Sequence, residues 1–264
     1  MAPVVPDSGL PDANRARIDI DGMSMRYGGL QALDDVSLAL SGGQVTAIIG
    51  PNGAGKSTFV NCLSGVVAMT AGKLAIDGAL APQPILPHLM HLGIARTFQN
   101  IRLFANLTVR EHVEMAHLGY LRSSRAASHE RAGKAKFVDL LLRRVHLDGK
   151  AALKPTELSY GERRRLEIIR GLATRPRLLL LDEPAAGMMQ TEQMELADFV
   201  LEIAATGIAV IIIEHHMDLV AKVANEVVVL NFGRCIARGT IDEMRANPEV
   251  IAAYLGTSGK VGVH

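Results

Sequence analysis

An apolar, β-branched run, Val45–Ile49, leads without a break into Gly50-Pro-Asn-Gly-Ala-Gly-Lys-Ser-Thr58. A strand, the pattern G-x-x-x-x-G-K-S and a following helix at Lys56–Leu63 together leave the chain few folds to adopt. Glycines let successive backbone N–H groups turn inward, and the helix N-terminus adds its positive dipole end, so the loop is built to cradle phosphate. On this reading Gly50, Asn52, Gly53, Ala54, Gly55 and Thr58 surround the phosphates. Lys56 reaches the β/γ-phosphates and the Ser57 hydroxyl ligates Mg²⁺. The surrounding fold is then α/β, with the loop at the carboxyl end of a buried strand.

A second segment fits that frame. Leu178-Leu-Leu-Leu181 reads as a buried strand, with Asp182 and Glu183 at its carboxyl end. Two acids facing the same crevice as the loop suit Asp182 as a magnesium ligand through water and Glu183 as the group that polarises the attacking water. This predicts a nucleoside triphosphatase. No Asn-Lys-x-Asp base-reading motif occurs, which argues against a GTPase.

The remaining chain is read around these two segments. Strands are expected at Arg17–Met25, Asp35–Leu40, Ile94–Phe98, Arg177–Asp182 and Ile208–Ile213. Helices are expected at Glu162–Thr174, Thr191–Ala205 and His216–Ala224. Continuously apolar strands alternating with helices predict a mainly parallel sheet covered on both faces. Glu226–Leu230 and Cys235–Ala237 predict an antiparallel hairpin at its edge. From about residue 100 to 156 the pattern turns helical and basic, with a capping box at Thr108–Glu111 and a second helix at His129–His146, which predicts an inserted helical subdomain. Residues 1–16, with three prolines, read as a flexible leader, and Ala81–Pro87 as a loop. A length of 264 residues suits one such domain, and 48% hydrophobic against 21% charged residues is a globular composition.

Charge and composition narrow the partners. The net charge of +1 predicts no nucleic-acid partner, although Leu121–Arg170 carries thirteen Lys/Arg against six Asp/Glu. That basic stretch reads as a solvated face able to approach anionic lipid head groups. Aromatic residues are 4% with no Trp, too few for base-stacking platforms. Cys62 and Cys235 form no metal or disulfide pattern, and the histidines at 88, 91, 112 and 117 read as loop or surface residues. No apolar run is long enough to span a bilayer and the first residues lack a signal-peptide pattern, so a cytosolic location is expected.

Leu158-Ser-Tyr-Gly-Glu162 stands between the two nucleotide segments, and with it the chain resembles ABC-type ATPases from about Arg17 to Gly256. The resemblance implies a single ATPase domain over 17–256 and a tail at 257–264. Gln99 takes the Q-loop position, reaching the metal; His215 is the switch histidine, and Tyr27 the aromatic that stacks on adenine. Gly93–Phe104, Glu183-Pro-Ala-Ala-Gly187 and Asn247–Gly256 are most similar to the ATP-binding subunits of branched-chain amino-acid importers. This implies ATP and Mg²⁺ as cofactors, with catalysis by Lys56, Glu183 and His215. It further implies a head-to-tail pair, identical or sister, in which Ser159, Gly161 and Glu162 of one subunit close over the other's nucleotide. Transmembrane permease subunits, and indirectly a solute-binding protein, are the implied partners at the cytoplasmic side of the membrane.

The chain departs from that family's usual pattern at three places. Glu162 replaces Gln and adds a negative charge near bound ATP, expected to weaken closure by about 1 kcal/mol. Met188-Met189-Gln190 replaces a polar segment. His216 stands where Asp is common. Arg163–Arg165 is expected to line the signature helix and offset Glu162. Two other classes of function are weighed: a soluble ABC ATPase acting on nucleic acid or ribosomes, and a low-turnover regulatory module.

Overall fold

The computed structural model describes residues 16–83, 85, 88–123 and 134–258. The expected leader up to residue 15, the start of the helix expected from His129, and the last six residues of the tail lie outside these described residues.

Two sheets build the body. The larger joins β3 (Val45–Ile49), β6 (Ile94–Arg96), β7 (Leu178–Asp182), β8 (Ala209–Ile213), β9 (Glu226–Asn231) and β10 (Arg234–Gly239) in the order β10-β9-β3-β8-β7-β6. Every pair is parallel except β9–β10, the edge hairpin expected from the sequence. The smaller sheet is antiparallel, joining β1 (Arg17–Tyr27), β2 (Leu30–Ser41), β4 (Ala71–Ile76) and β5 (Ala79–Leu80) in the order β2-β1-β4-β5.

Alternate residues of the parallel strands feed two separate cores, which is why those strands read as unbroken apolar runs. Val45, Ala47, Ile49, Leu179 and Leu181 face one core; Ile48, Leu178 and Leu180 face the other. The second core is closed by α1 (Lys56–Leu63) and the antiparallel sheet. The first is closed by α3 (Val109–Leu121), α4 (Lys134–Arg144), α5 (Tyr160–Leu172), α6 (Gln190–Ala205) and α7 (Met217–Val223). The helical segment between residues 100 and 156 therefore shares its core with the sheet: Val109, Val113, Val138 and Leu141 pack in the same cluster as Leu166 and Leu179.

Several boundaries differ from expectation for local reasons. The helix expected to reach His146 ends at Arg144, and His146 takes a left-handed φ of 57°. The helix expected from Glu162 starts at Tyr160, because Ser159 is its N-cap and Glu162 its third residue. β1 carries a bulge between Ile20 and Met23 at Gly22, whose φ is 62°. That extra residue keeps Ile18, Ile20, Met23 and Met25 on one buried face. Short helices α2 (Leu89–Leu92) and α8 (Ile241–Ala246) and the longer α9 (Pro248–Ser258) complete the described α-helices, and 3-10 turns lie at Asp148–Lys150 and Pro155–Glu157. Among the described residues no helix is long and apolar enough to cross a membrane.

Candidate functional site

The phosphate loop sits between β3 and α1, and the surrounding backbone requires its glycines. A Cβ on Gly50, at φ 146°, would collide with the Leu230 carbonyl; one on Gly55, at φ 102°, would lie 2.7 Å from the Ala32 carbonyl. At Gly53 a Cβ would meet nothing within 4 Å, so this side of the loop opens outward. The tip of the edge hairpin braces the loop: Gly233 N–H donates to Ala54 O at 2.9 Å.

Lys56 lies inside this turn, its Nζ donating to the carbonyls of Gly50 at 2.6 Å and Pro51 at 3.0 Å. Burial lowers its pKa, while Glu183 and Asp182 pull it back up. A buried ammonium satisfied only by neutral carbonyls is suited to an anionic ligand, and the loop fits a phosphate.

Glu183 takes a left-handed φ of 45°, with its N–H donating to Ile213 O at 3.0 Å. Its carboxylate is bracketed. Gln99 Nε2 donates to Oε2 at 2.8 Å, and His215 Nε2 lies 2.9 Å from Oε1. With its amide nitrogen committed to Glu183, Gln99 has its carbonyl oxygen left to face elsewhere. The expected site residues Tyr27, Asn52, Gly53, Lys56, Glu183 and His215 line one cavity of about 340 Å³. Ala54, Gly55, Ser57 and Thr58 line it too, and the exposed ring of Phe232 stands at its side.

Asp182 is buried beside them. Its Oδ2 accepts from Arg96 Nη2 at 2.9 Å, and the two side chains are 9% and 6% exposed. Ser57, Gln99 and Asp182 offer hydroxyl, carbonyl and carboxylate oxygens, a hard donor set that fits Mg²⁺. Among the described residues no three His, Cys, Asp or Glu cluster as a metal cage; Mg²⁺ is commonly held by one or two carboxylates together with substrate phosphates.

Ser159, Gly161 and Glu162 lie outside this cavity, at the start of α5. They form a capping box: Glu162 N–H donates to Ser159 Oγ at 3.3 Å, and Ser159 N–H to Glu162 Oε2 at 3.0 Å. The charge of Glu162 is offset within the chain by Lys150, whose Nζ donates to Oε1 at 2.6 Å and holds the carboxyl below its usual pKa.

Arg163–Arg165 lie on the signature helix as expected, but two of the three are engaged away from Glu162. Arg164 is fully buried and donates to the carbonyls of Phe98 at 2.7 Å and Gln99 at 2.8 Å, tying α5 to the Gln99 segment. Arg165 pairs with Glu195.

Other expectations also change. His112 and His117 are core residues, not surface ones. His112 Nδ1 donates to Thr108 O at 2.7 Å while its Nε2 accepts from Phe104 N–H at 2.9 Å. Met189, in the segment that departs from the family pattern, is 70% exposed, whereas Met188 packs on the core. His216 Nδ1 lies 2.9 Å from Glu214 Oε2.

Sequence reasoning missed Glu214 as a participant. This buried carboxylate accepts from Ala185 N–H at 2.8 Å and His215 N–H at 3.0 Å, joining the segment after Glu183 to the one carrying His215. Its signal was an acid ending an unbroken apolar run. Lys150 and Arg164 had no comparable signal, because Glu162 and the Phe98 and Gln99 carbonyls that they hold lie on other segments.

Comparison with known proteins follows the same lines. A family profile described as ABC transporter matches residues 33–186, and one described as branched-chain amino acid ATP-binding cassette transporter matches residues 234–260. The chain is 38% identical over 253 residues to the high-affinity branched-chain amino acid transport ATP-binding protein BraF of Pseudomonas aeruginosa, covering 92% of this chain and 99% of the relative. It is 37% identical to LivG of Escherichia coli, a protein of the same description, covering 90% and 97%. Among solved structures, an ABC-transporter ATP-binding cassette in its ADP conformation matches with a TM-score of 0.78 and 29% identity, covering 91% of this chain and 99% of that one.

Proposed function

The chain belongs to the ABC transporter family, and from that footing we propose that it is the ATP-hydrolysing subunit of an importer for branched-chain or similar apolar amino acids. The observation that carries the catalytic part is Glu183, held between Gln99 and His215 at the mouth of the phosphate loop. For the transported class the support is likeness to BraF and LivG along nearly their whole lengths.

In this reading Tyr27 stacks on the adenine, and backbone N–H groups between Asn52 and Thr58 hold the phosphates. Lys56 exchanges its two carbonyl partners for phosphate oxygens. Ser57, Gln99 and Asp182 would hold Mg²⁺, which supplies charge neutralisation at those oxygens. Glu183 orients the attacking water and takes its proton, with His215 fixing the carboxylate from the other side. A second cassette, identical or sister, presents its Ser159–Glu162 helix start to the nucleotide. Hydrolysis then loosens the pair, a phosphate-dependent switch.

The permease contact belongs on the groove between the Gln99 segment and the helical segment. This groove has a volume of about 880 Å³ and is lined by Met90, Leu103, Phe104, Met115 and Arg170 among others. Its apolar lining suits a helix or loop of a membrane subunit. The chain would then sit at the cytoplasmic face of the membrane, held there by the permeases, with a solute-binding protein engaged only through them.

Two measurements test this reading. Glu183→Gln is expected to cut ATP turnover by roughly 10²–10⁴-fold while ATP binding persists. The full chain, tagged and purified from gently solubilised native membranes, is expected to bring down polytopic permeases and a second ATPase. Recovery of ribosomes or DNA in their place overturns the importer reading in favour of a soluble ATPase.

A further inference from the structure

We propose that Arg96 is a positioning residue for the magnesium ligand: it fixes the rotamer of Asp182 so that the carboxylate's other oxygen, Oδ1, is presented to the metal. The proposal rests on the reading of Asp182 given above.

The geometry is that of a three-way brace. Arg96 ends β6, three residues before Gln99. Its Nη2 donates to Asp182 Oδ2 at 2.9 Å, and its Nη1 donates to Asn61 Oδ1 at 2.7 Å and Ser64 Oγ at 2.9 Å. Asn61 and its neighbours belong to α1 and its C-terminal cap, the helix that the phosphate loop opens. One guanidinium therefore spans the loop helix, the end of the strand carrying Asp182 and Glu183, and the segment leading to Gln99. Its carbon lies 4.8 Å from the centre of the Phe98 ring, which covers one face of the plane.

A buried carboxylate is costly to hold as an anion unless a counter-charge and hydrogen bonds accompany it. Arg96 supplies both. The planar fork has fixed donor directions, so anchoring Nη1 on α1 also fixes where Nη2 points, and hence how Asp182 turns. Among the described residues no hydrogen bond reaches Asp182 Oδ1, which leaves that oxygen for a metal or its water. A lysine in this place would keep the charge but lose the fork, since one ammonium cannot hold the same directions toward all three acceptors.

The test is a magnesium titration of fluorescent ATP-analogue binding to the full chain, with a parallel measurement in EDTA and a melting curve for each variant. Arg96→Lys is expected to raise the half-saturating magnesium concentration by about tenfold, as for other residues that orient a metal ligand. Affinity in EDTA should stay within about twofold, because the phosphate loop itself is unchanged. In an Asp182→Asn background, Arg96→Lys should add no further shift. Asn61→Ala keeps the buried ion pair but removes one of the fork's two anchors on α1, leaving only Ser64 Oγ, and should shift the magnesium dependence in the same direction by a smaller factor. It therefore decides the matter if Arg96→Lys folds poorly.

An unchanged or lowered half-saturating concentration, or an equal loss of affinity in EDTA, overturns the positioning role. A wild-type chain whose nucleotide affinity ignores magnesium, or an Asp182→Asn variant that binds magnesium as wild type does, overturns instead the assignment of Asp182.

Discussion

At the scale of single residues, one departure from the family's pattern, Glu162, is answered by a neighbour that lies close in space. Glu162 places a carboxylate where a nucleotide of a paired cassette would approach, and Lys150 cancels that charge at 2.6 Å. The electrostatic cost expected from Glu162 alone is therefore largely relieved within the chain. Lys150→Ala is expected to weaken ATP-dependent dimerisation by two- to fivefold, the range of a partly exposed ion pair worth up to about 1 kcal/mol. Glu162→Gln in the same chain should restore it. Sedimentation of hydrolysis-deficient Glu183→Gln chains with and without ATP measures both. Equal dimerisation of Lys150→Ala and its parent would show that the carboxylate is felt by nothing across the pair. This compensation was not legible in the sequence. Lys150 and Glu162 are twelve positions apart, and only the fold of the intervening short turns brings them together. By contrast Lys56, Asp182 and Glu183 were legible because their spacing to a strand end is itself the chemistry.

At the scale of elements, strands that are buried on both faces and helices with capping boxes were readable, because burial and capping leave local marks. β3 and α1 fall at Val45–Ile49 and Lys56–Leu63 as expected, and α3 opens at Thr108 through its capping box with Glu111. The weakly patterned β4 and β5 were not legible. Of the six residues in β4, only Leu74 and Ile76 are buried, and pairing to β1 rather than composition makes it a strand. The same limit hid the core position of His112 on α3. Burial lowers its pKa from 6.5, while the bond to Thr108 opposes the shift. The unfolded chain therefore binds this proton more readily than the folded one, and folding stability should fall as pH drops below about 6.5 toward the lower folded value. Protonating Nε2 would also displace the Phe104 N–H it accepts. Urea unfolding of wild type and His112→Leu at pH 7.5 and 5.5 checks this. The variant should be less stable at pH 7.5 yet lose less on acidification; equal losses would assign the pH response to other groups.

At the scale of the whole molecule, the six-stranded sheet separates two faces with different tasks. Its carboxyl edge gathers the residues proposed to bind nucleotide, while the groove beside α3 and α5 lies off to one side, exposing Phe104 and Met115. Gln99 and Arg164 connect them, since Arg164 on α5 holds the carbonyls of Phe98 and Gln99 while Gln99 touches Glu183. Separate surfaces joined by so short a bridge imply that binding and coupling can be broken independently. Phe104→Asp is expected to abolish co-purification with permeases, at least tenfold, as for a buried aromatic anchor. Its nucleotide affinity should remain that of the wild type. Retained permease binding would move the contact elsewhere on the surface.

The dependence of the phosphate loop on the edge hairpin reaches back to the chain's own synthesis. Gly50 fits against the Leu230 carbonyl, and Ala54 accepts from Gly233 N–H. A ribosome working from the N-terminus makes the loop early and its brace some 180 residues later. Until Gly233 has left the exit tunnel, the nascent chain carries a complete phosphate motif without its hairpin brace. The hairpin's brace on the phosphate loop is therefore among the last contacts of the site to form as the polypeptide is made.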